Sequence, residues 1–441
     1  MSAKSPRFTA LELLNRMDGK AYSNLALNSA LEKSGFSERD KGFTARLFYG
    51  VLERRLTLEY AAEMYSSRPL QKLDGAVRNI LEMGLYQILY MDSVTDSAAV
   101  NESVILAKQC GYAGAAGFIN AVLRSFIRGG KKISYPENKT ERLGIEYSCG
   151  AELVNKLCED YSFEQAEDLL KASVTPHKTF LRVNNMKITA ECLAEEFERL
   201  GISVKVCDIT ENCLAAETTG GVESCELFKK GFFHVQDLSS QLCCKALSPK
   251  AGETVIDVCA APGGKAFTIT EMMEDKGRVI ACDIHSNRVN LIKKGAERLG
   301  LSAIEAVEND AKQFNGAFPI ADKVLCDVPC SGFGVIRSKP ELKYTDLKSV
   351  ERLPQVQYEI LCTASRYLKN GGELVYSTCT LNRDENDRVI DRFLAEHGEF
   401  EPADVLSEYG SISDGCKATI FPKDFGCEGF FISKIRKVGT R

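Results

Sequence analysis

Apolar residues recur at three- and four-residue intervals through the first 130 residues, in "TALELLNRM", "SNLALNSALEK", "RDKGFTARLFYGVLERRLTLEYAAEMY", "GAVRNILEMGLYQILYM" and "AAVNESVILAKQ". That spacing lines one face of a helix. Pro69 and clusters of Asp, Ser and Gly interrupt the pattern, so it predicts five or more helices of about 10–20 residues, enough for a compact all-α bundle. "FIRGGKKISYPENK" then supplies glycines, a proline and lysines, which suits a linker near 129–139. Between about 140 and 235 the pattern mixes. Helical "GAELVNKLCEDY" and "FEQAEDLLKASV" precede strand-like "TFLRVN", helical "TAECLAEEFERLG" and strand-like "ISVKVCD", a small α/β module. From residue 252 strands and helices alternate, through "TVIDVC", "FTITEMME", "GRVIACD", "NRVNLIKKGAERLG", "AIEAVEND", "DKVLCDVPC", a long helix around 346–369 and "GELVYSTC". Such alternation builds a parallel sheet with helices on both faces, and ligands bind beyond the carboxyl ends of its strands. A length of 441 residues fits this division into more than one domain.

Composition narrows the class. With 44% hydrophobic and 27% charged residues the chain reads as globular. No apolar run approaches the ~18 residues of a membrane span, and "MSAKSPRFTALELL" lacks the apolar centre of a secretion signal. The expected place is the cytoplasm, away from membranes. Seventeen cysteines occur without any C-x-x-C, beside only four histidines. That argues against zinc ribbons and thioredoxin chemistry, so no metal is expected, and most of the thiols read as small buried apolar groups. The net charge of −5 is uneven: residues 1–145 hold 20 Lys and Arg against 15 Asp and Glu, and the remainder 36 against 46. Phosphate contact depends on local patches, so an acidic total leaves RNA open as a partner.

Chemistry is concentrated at the strand ends of the last domain. "DVCAAPGGK", Asp257 to Lys265, follows the first strand, and its glycines and small residues let backbone approach a ligand. It is neither GxxxxGK[ST] nor GxGxxG. S-adenosylmethionine has no pyrophosphate and requires neither motif; it needs room for its amino-acid end and an acid for its ribose. Asp283, ending "GRVIACD", is placed to take the ribose hydroxyls. Asp310 in "VEND" suits the adenine amino group, and Asp327 ends the next strand. Two strands stop on thiols, that of Asp327 on Cys330 in "LCDVPCSGFG" and a further one on Cys379 in "ELVYSTCTLN".

"DVCAAPGGK", "DVPCSGFGVIRSKPELKY", "YSTCTLNRDEN" and the closing "EGFFISKIRK" together resemble the RNA cytosine-C5 methyltransferases. The helical region with "INAVLRS" is similar to the NusB-like extension of the RsmB (Sun) subfamily, which acts on 16S rRNA. The resemblance implies a multidomain chain: a NusB-like helical RNA-binding domain over 1–133, a small α/β RNA-binding or linker module over 134–235, and a Rossmann-like S-adenosylmethionine-dependent methyltransferase domain over 236–441. It implies that Cys379 is the nucleophile, that Cys330 assists release of the adduct, and that Asp327 meets the cytosine N3/N4 edge. Lys265 would lie near both the cofactor and Asp327. Cofactor contacts would come from Cys259, Ala260, Ala261, Pro262, Gly263, Gly264, Lys265, Asp283, Arg288, Asp310 and Asp327. Arg182 and Asn184 in "FLRVNNMK", and Arg337 with Lys339 and Lys343 in "IRSKPELKY", would touch RNA. The implied partner is 16S rRNA or an early small-subunit assembly intermediate, with no obligate protein partner. A tRNA or 23S rRNA cytosine is the alternative substrate. A non-catalytic RNA-binding factor of antitermination type is the alternative of another class.

Overall fold

The computed structural model describes residues 5–17, 23–217 and 222–439. These form two compact units, one of residues 1–174 with 336–345 and one of 175–335 with 346–441. Among the described residues, no helix is long and apolar enough to cross a membrane.

The first unit is helical: α1 (Pro6–Met17), α2 (Ser23–Glu32), α3 (Glu38–Tyr65), α4 (Gly75–Tyr90), α5 (Asp96–Gln109), α6 (Ala116–Arg128), α7 (Lys139–Glu146), α8 (Ala151–Asp160) and α9 (Phe163–Ala172). Capping residues set several of the starts. The side chains of Ser37, Asp74 and Thr95 accept hydrogen bonds from Asp40 N, Ala76 N and Ala98 N, satisfying donors that the first turn leaves unpaired. The apolar stripes of α3, α4 and α6 meet in one core, where Leu47, Phe48, Val51, Ile80, Leu81, Leu85, Leu123 and Phe126 are fully buried. Helices α7 to α9 belong to this unit and not to the sheet that follows them.

Residues 336–345 also belong to the helical unit, although they lie between strand residues of the other. A short 3-10 turn over Pro340–Tyr344 is fixed there by three hydrogen-bonding groups. Lys343 Nζ donates to Glu53 O (2.8 Å) and Tyr147 O (2.9 Å), Tyr344 Oη donates to Leu52 O (2.7 Å), and Gly150 N donates to Lys343 O (2.8 Å). Lys343 is completely buried, so it does not face an RNA groove as its basic segment suggested. Burial draws its ammonium down to about 8, opposed by Glu53.

The second unit opens with a four-stranded antiparallel sheet of β1 (Thr179–Val183), β2 (Val204–Val206), β3 (Cys213–Ala216) and β4 (Phe233–Val235), ordered β2-β3-β1-β4. Helices α10 (Ala190–Arg199) and α11 (Glu226–Lys229) lie between these strands in sequence. The hydrophobic pattern gives β1 and β2 but not β3 and β4. "CLAA" is buried at all four positions and so shows no alternation, and "FHV" is too short for a period to emerge.

A larger sheet follows, after α12 (Leu238–Leu247). Its parallel part contains β5 (Thr254–Asp257), β6 (Arg278–Asp283), β7 (Ile304–Glu308), β8 (Ala321–Asp327) and β9 (Leu368–Thr378), with α13 (Gly264–Met272), α14 (Ser286–Leu299) and α15 (Leu353–Ser365) in the crossovers. After α16 (Asp387–Glu396) the chain adds antiparallel strands β10 (Phe400–Pro402), β11 (Ser413–Asp414) and β12 (Lys417–Ile420), then α17 (Pro422–Phe425) and β13 (Phe430–Lys437). The order is β11-β12-β13-β9-β8-β5-β6-β7, with β10 also on β13. The alternating region is thus parallel as expected, and "EGFFISKIRK" turns the sheet mixed by pairing antiparallel to β9. The strand sequence reverses direction at β5/β8, and such a switch point opens a crevice above the carboxyl ends.

Replacing Lys343 by Met leaves two part-buried carbonyls, Glu53 O and Tyr147 O, without their donor, each loss costing about 1 kcal/mol. We expect the helical unit to lose about 2 kcal/mol, seen as a lowered first transition in thermal unfolding.

Candidate active site

Five strands deliver side chains to the crevice. Asp257 ends β5, Asp283 ends β6, Asp310 follows β7, Asp327 ends β8 and Cys379 follows β9 directly. The pairing of β8 with β9 sets Asp327 opposite Ser377. Consequently the loop after Asp327 and the loop after Thr378 leave the sheet side by side. They bring Cys330 Sγ to 3.1 Å from Cys379 Sγ.

Backbone contact between these loops requires glycine. Gly334 N donates to Cys379 O (3.0 Å) and Gly429 N donates to Gly334 O (2.9 Å). A Cβ on Gly334 would sit 2.1 Å from Gly429 O, inside the repulsive wall. The motif glycines of "CSGFG" and "EGFF" therefore let three backbones cross beside the sulfurs.

Asp327 is held on both oxygens. Lys265 Nζ donates to Oδ2 (2.8 Å) and Ser377 Oγ donates to Oδ1 (2.7 Å). Burial pulls the Lys265 ammonium down, but Asp327 beside it outweighs that and holds it well above the usual lysine range. The lysine is thus a fixed cation at the foot of the crevice. The thiol of Cys330 is pushed far up by its hydrogen bond to Cys379, by burial, and by the charges of Glu385 and Asp327.

The loop "VCAAPGGK" wraps the end of β5. Ala260 N donates to Cys282 O (2.7 Å), the Ala261–Pro262 peptide is cis, and Gly263 has φ +115°. A Cβ there would meet Phe267 Cζ at 2.4 Å, so glycine is obligatory on both counts. Helix α13 starts at Gly264, next to Lys265, with its first N–H groups toward the loop. Arg288 joins the loop to the acid of β6: it donates to Ala261 O (2.8 Å) and pairs with Asp283 Oδ2 (3.0 Å). Asp310 lines a groove of about 510 Å³ with Gln313, Tyr358 and Cys362.

Asp257 is the group that sequence reasoning passed over. It is fully buried, its Oδ1 accepts from Cys259 N (3.3 Å), and its Oδ2 has no hydrogen-bond partner among the described residues. Burial, followed by the charge of Asp327, pushes its carboxyl up to about 7. A buried carboxylate oxygen aimed at a crevice is costly unless a cationic or donor group arrives to meet it. The signal lay in "DVCAAPGGK", which opens on this residue.

The RNA expectation for β1 meets a different placement. Arg182 is buried, donating to Glu271 Oε2 (3.2 Å) and Glu211 O (2.8 Å). Asn184 is fully buried, donating to Gly231 O (3.0 Å) and Leu299 O (2.9 Å). Both are used inside the protein, Arg182 on Glu271 of α13 and Asn184 on backbone carbonyls. Arg337 lies in the 336–345 segment of the helical unit. No group of three or more His, Cys, Asp or Glu side chains able to hold a metal occurs among the described residues.

Comparison with known proteins places this arrangement. The profile described as 16S rRNA methyltransferase RsmB/F matches residues 244–436, that of the NusB family 4–128, and that of an RsmF/B-like ferredoxin-like domain 152–223. The "Probable ribosomal RNA small subunit methyltransferase B" of Bacillus subtilis is 40% identical over a 450-residue alignment covering 100% of both chains. The chain belongs to the RsmB family of methyltransferases. A Pseudomonas syringae "Ribosomal RNA small subunit methyltransferase B" is 29% identical, covering 99% of this chain and 98% of the relative. Among solved structures, that of PH0851 superposes with a TM-score of 0.83 at 24% identity, over 99% of each chain. NSun6 from Pyrococcus horikoshii, solved with SFG, gives 0.58 at 22% identity, over 69% of this chain and 99% of the other. Both likenesses concern the fold.

A methyltransferase of this family implies S-adenosylmethionine, and the crevice fits it. The orphaned Asp257 Oδ2 suits an ammonium group, and Asp283 is held at the end of β6 beside the loop. Because Asp257 ionises only near 7 while a cationic amine favours its carboxylate, binding must release a proton below that pH. Affinity for S-adenosylmethionine should therefore weaken about tenfold per unit as pH falls below 7. In Asp257→Asn it should be weaker and flat across that range. Titration calorimetry at several pH values reads both.

Proposed function

We propose that this chain methylates carbon 5 of a cytosine in 16S rRNA through a covalent bond between Cys379 and the ring. The observation that carries the reading is the pair of sulfurs 3.1 Å apart at adjacent strand ends, beside an Asp327 fixed by Lys265 and Ser377. Relatives named for small-subunit rRNA methylation support the substrate class. The reading places the work in the cytoplasm.

The chemistry explains why two thiols are needed. Carbon 5 of an aromatic cytosine is a poor nucleophile. Addition of the Cys379 thiolate to C6 breaks the aromaticity and leaves an enamine that is nucleophilic at C5. Asp327 would meet the N3/N4 edge, where charge develops during attack. Lys265, paired to it, keeps that carboxylate in place. S-adenosylmethionine, when bound, supplies the methyl group. Asp257 and Asp283 would hold its amino and ribose ends, Asp310 the adenine, and the 259–264 loop would close on it, with Arg288 fixing the loop. After transfer, C5 loses its proton to solvent while the C6–S bond breaks and returns the electron pair to Cys379. Cys330, with its sulfur 3.1 Å from that of Cys379, is placed to assist that release. Because C6 is hidden in a stacked helix, the cytosine must be single-stranded or extruded. The basic surplus of the first 145 residues suits an RNA-docking role for the helical unit.

Cys379→Ala should abolish methyl transfer to rRNA and leave S-adenosylmethionine affinity within about twofold, since only the attacking atom is lost. Cys330→Ala should let a covalent protein–RNA species accumulate, resolved as a slow band on a denaturing gel. Near-normal turnover in Cys379→Ala overturns the nucleophile, and a band that forms without Cys379 exchanges the two roles. Bisulfite sequencing of rRNA and tRNA from cells with and without the protein names the substrate. A mark in tRNA or 23S rRNA, with 16S unchanged, replaces the 16S assignment.

A further inference from the structure

Glu385 is a fully buried carboxylate whose four hydrogen-bond donors, three side-chain groups and one backbone N–H, are all neutral. Its Oε2 accepts from Ser331 N (2.9 Å) and Gln357 Nε2 (2.8 Å), and its Oε1 from Ser331 Oγ (2.5 Å) and Asn382 Nδ2 (2.9 Å). Ser331 is the neighbour of Cys330, and Asn382 lies three residues after Cys379. The main chain of Glu385 is fixed as well, because Tyr376 Oη donates to Glu385 O (2.6 Å). Gln357 also donates to Pro329 O (3.0 Å), immediately before Cys330. Thr380, which follows Cys379, meets Ser331 Oγ at 2.7 Å. One carboxylate therefore stitches the two thiol-bearing loops together from below.

A neutral amide could not take its place. Every group that points at Glu385 is a donor, and an amide would turn its own donor against two of them. An unsalted carboxylate in the protein interior survives only when hydrogen bonds of this number stabilise it. Its charge also has a direction of action. The charged or titratable groups acting on Cys330 are Cys379, Glu385 and Asp327, the last already neutralised by Lys265. Glu385 has only neutral donors on its carboxyl group, and a carboxylate beside a thiol opposes its ionisation.

We propose that Glu385 is a positioning residue, which clamps the Cys330 loop to the Cys379 loop and sets its charge against ionisation of the Cys330 thiol. This rests on the two-thiol reading above and extends it to what holds the two loops together. Glu385 touches neither the base nor the cofactor in this scheme.

The test separates position from chemistry. In full-length Cys379→Ser protein, without RNA, alkylation of Cys330 by iodoacetamide is followed against pH by peptide mass spectrometry. Glu385→Gln in that background should move the midpoint to lower pH by about one unit or more. In the otherwise unaltered chain, Glu385→Gln should slow single-turnover methyl transfer by about 100-fold with S-adenosylmethionine affinity unchanged. An unmoved midpoint, or an unmoved rate, overturns the proposal. If Glu385→Gln loses cofactor binding through misfolding, Ser331→Ala decides, since it removes one bond of the clamp and leaves the charge. A fall of about tenfold in its rate supports the clamp, and a parental rate overturns it. The alkylation midpoint needs no substrate, so it reports on Glu385 even if Cys379→Ala proves active and the two-thiol reading itself fails.

Discussion

The site depends on the parallel pairing of β8 with β9. Hydrogen bonds place Asp327 opposite Ser377, so both chains leave the sheet at the same height and in the same direction. Two thiols born on separate strands then meet at 3.1 Å. A slip of one residue would invert the side chains of an entire strand, sending Ser377 away from Asp327 and the sulfurs apart. Register is secured by apolar side chains buried on both faces, among them Val324, Leu325, Leu374 and Val375. The reactive geometry is in this sense a by-product of how the core packs.

Around that constraint the protein arranges charge unevenly. Asp327 is answered by Lys265 and Ser377, and Glu385 by four neutral donors. Asp257 alone of these is left with an oxygen that nothing protein-borne meets among the described residues. Groups balanced internally hold shape, whereas an unbalanced one invites a ligand. The contrast explains why Asp257 stays protonated up to about 7 while Lys265 is kept charged.

The smaller sheet contributes from a distance. Arg182 on β1 reaches Glu271 on α13, the helix whose first residues are Gly264 and Lys265. Asn184, just past the same end of the strand, donates to Gly231 O and Leu299 O. These side chains look like surface chemistry when read as "FLRVNN", yet both are packing elements. A polar residue in a strand gives no sign of which face it occupies until its neighbours are known.

The chain's own pattern determined a great deal. Three- and four-residue periodicity laid out the bundle, and strand–helix alternation laid out the parallel sheet. The strand-end rule pointed to Asp283, Asp310, Asp327 and the cysteines, all beyond the carboxyl ends of one sheet. These features are legible because they arise from local periodicity and from a rule of topology that holds for any open parallel sheet. What tertiary structure decided is of another kind. It joined 336–345 to the helical unit, turned "EGFFISKIRK" into an antiparallel strand on β9, and made Gly334 and Gly429 touch. It buried Lys343 and Arg182, left Asp257 unmet, and centred a clamp on Glu385. Each of these depends on residues tens to hundreds of positions apart arriving within hydrogen-bond range. Burial and partnership are properties of that arrival, and no local pattern encodes them.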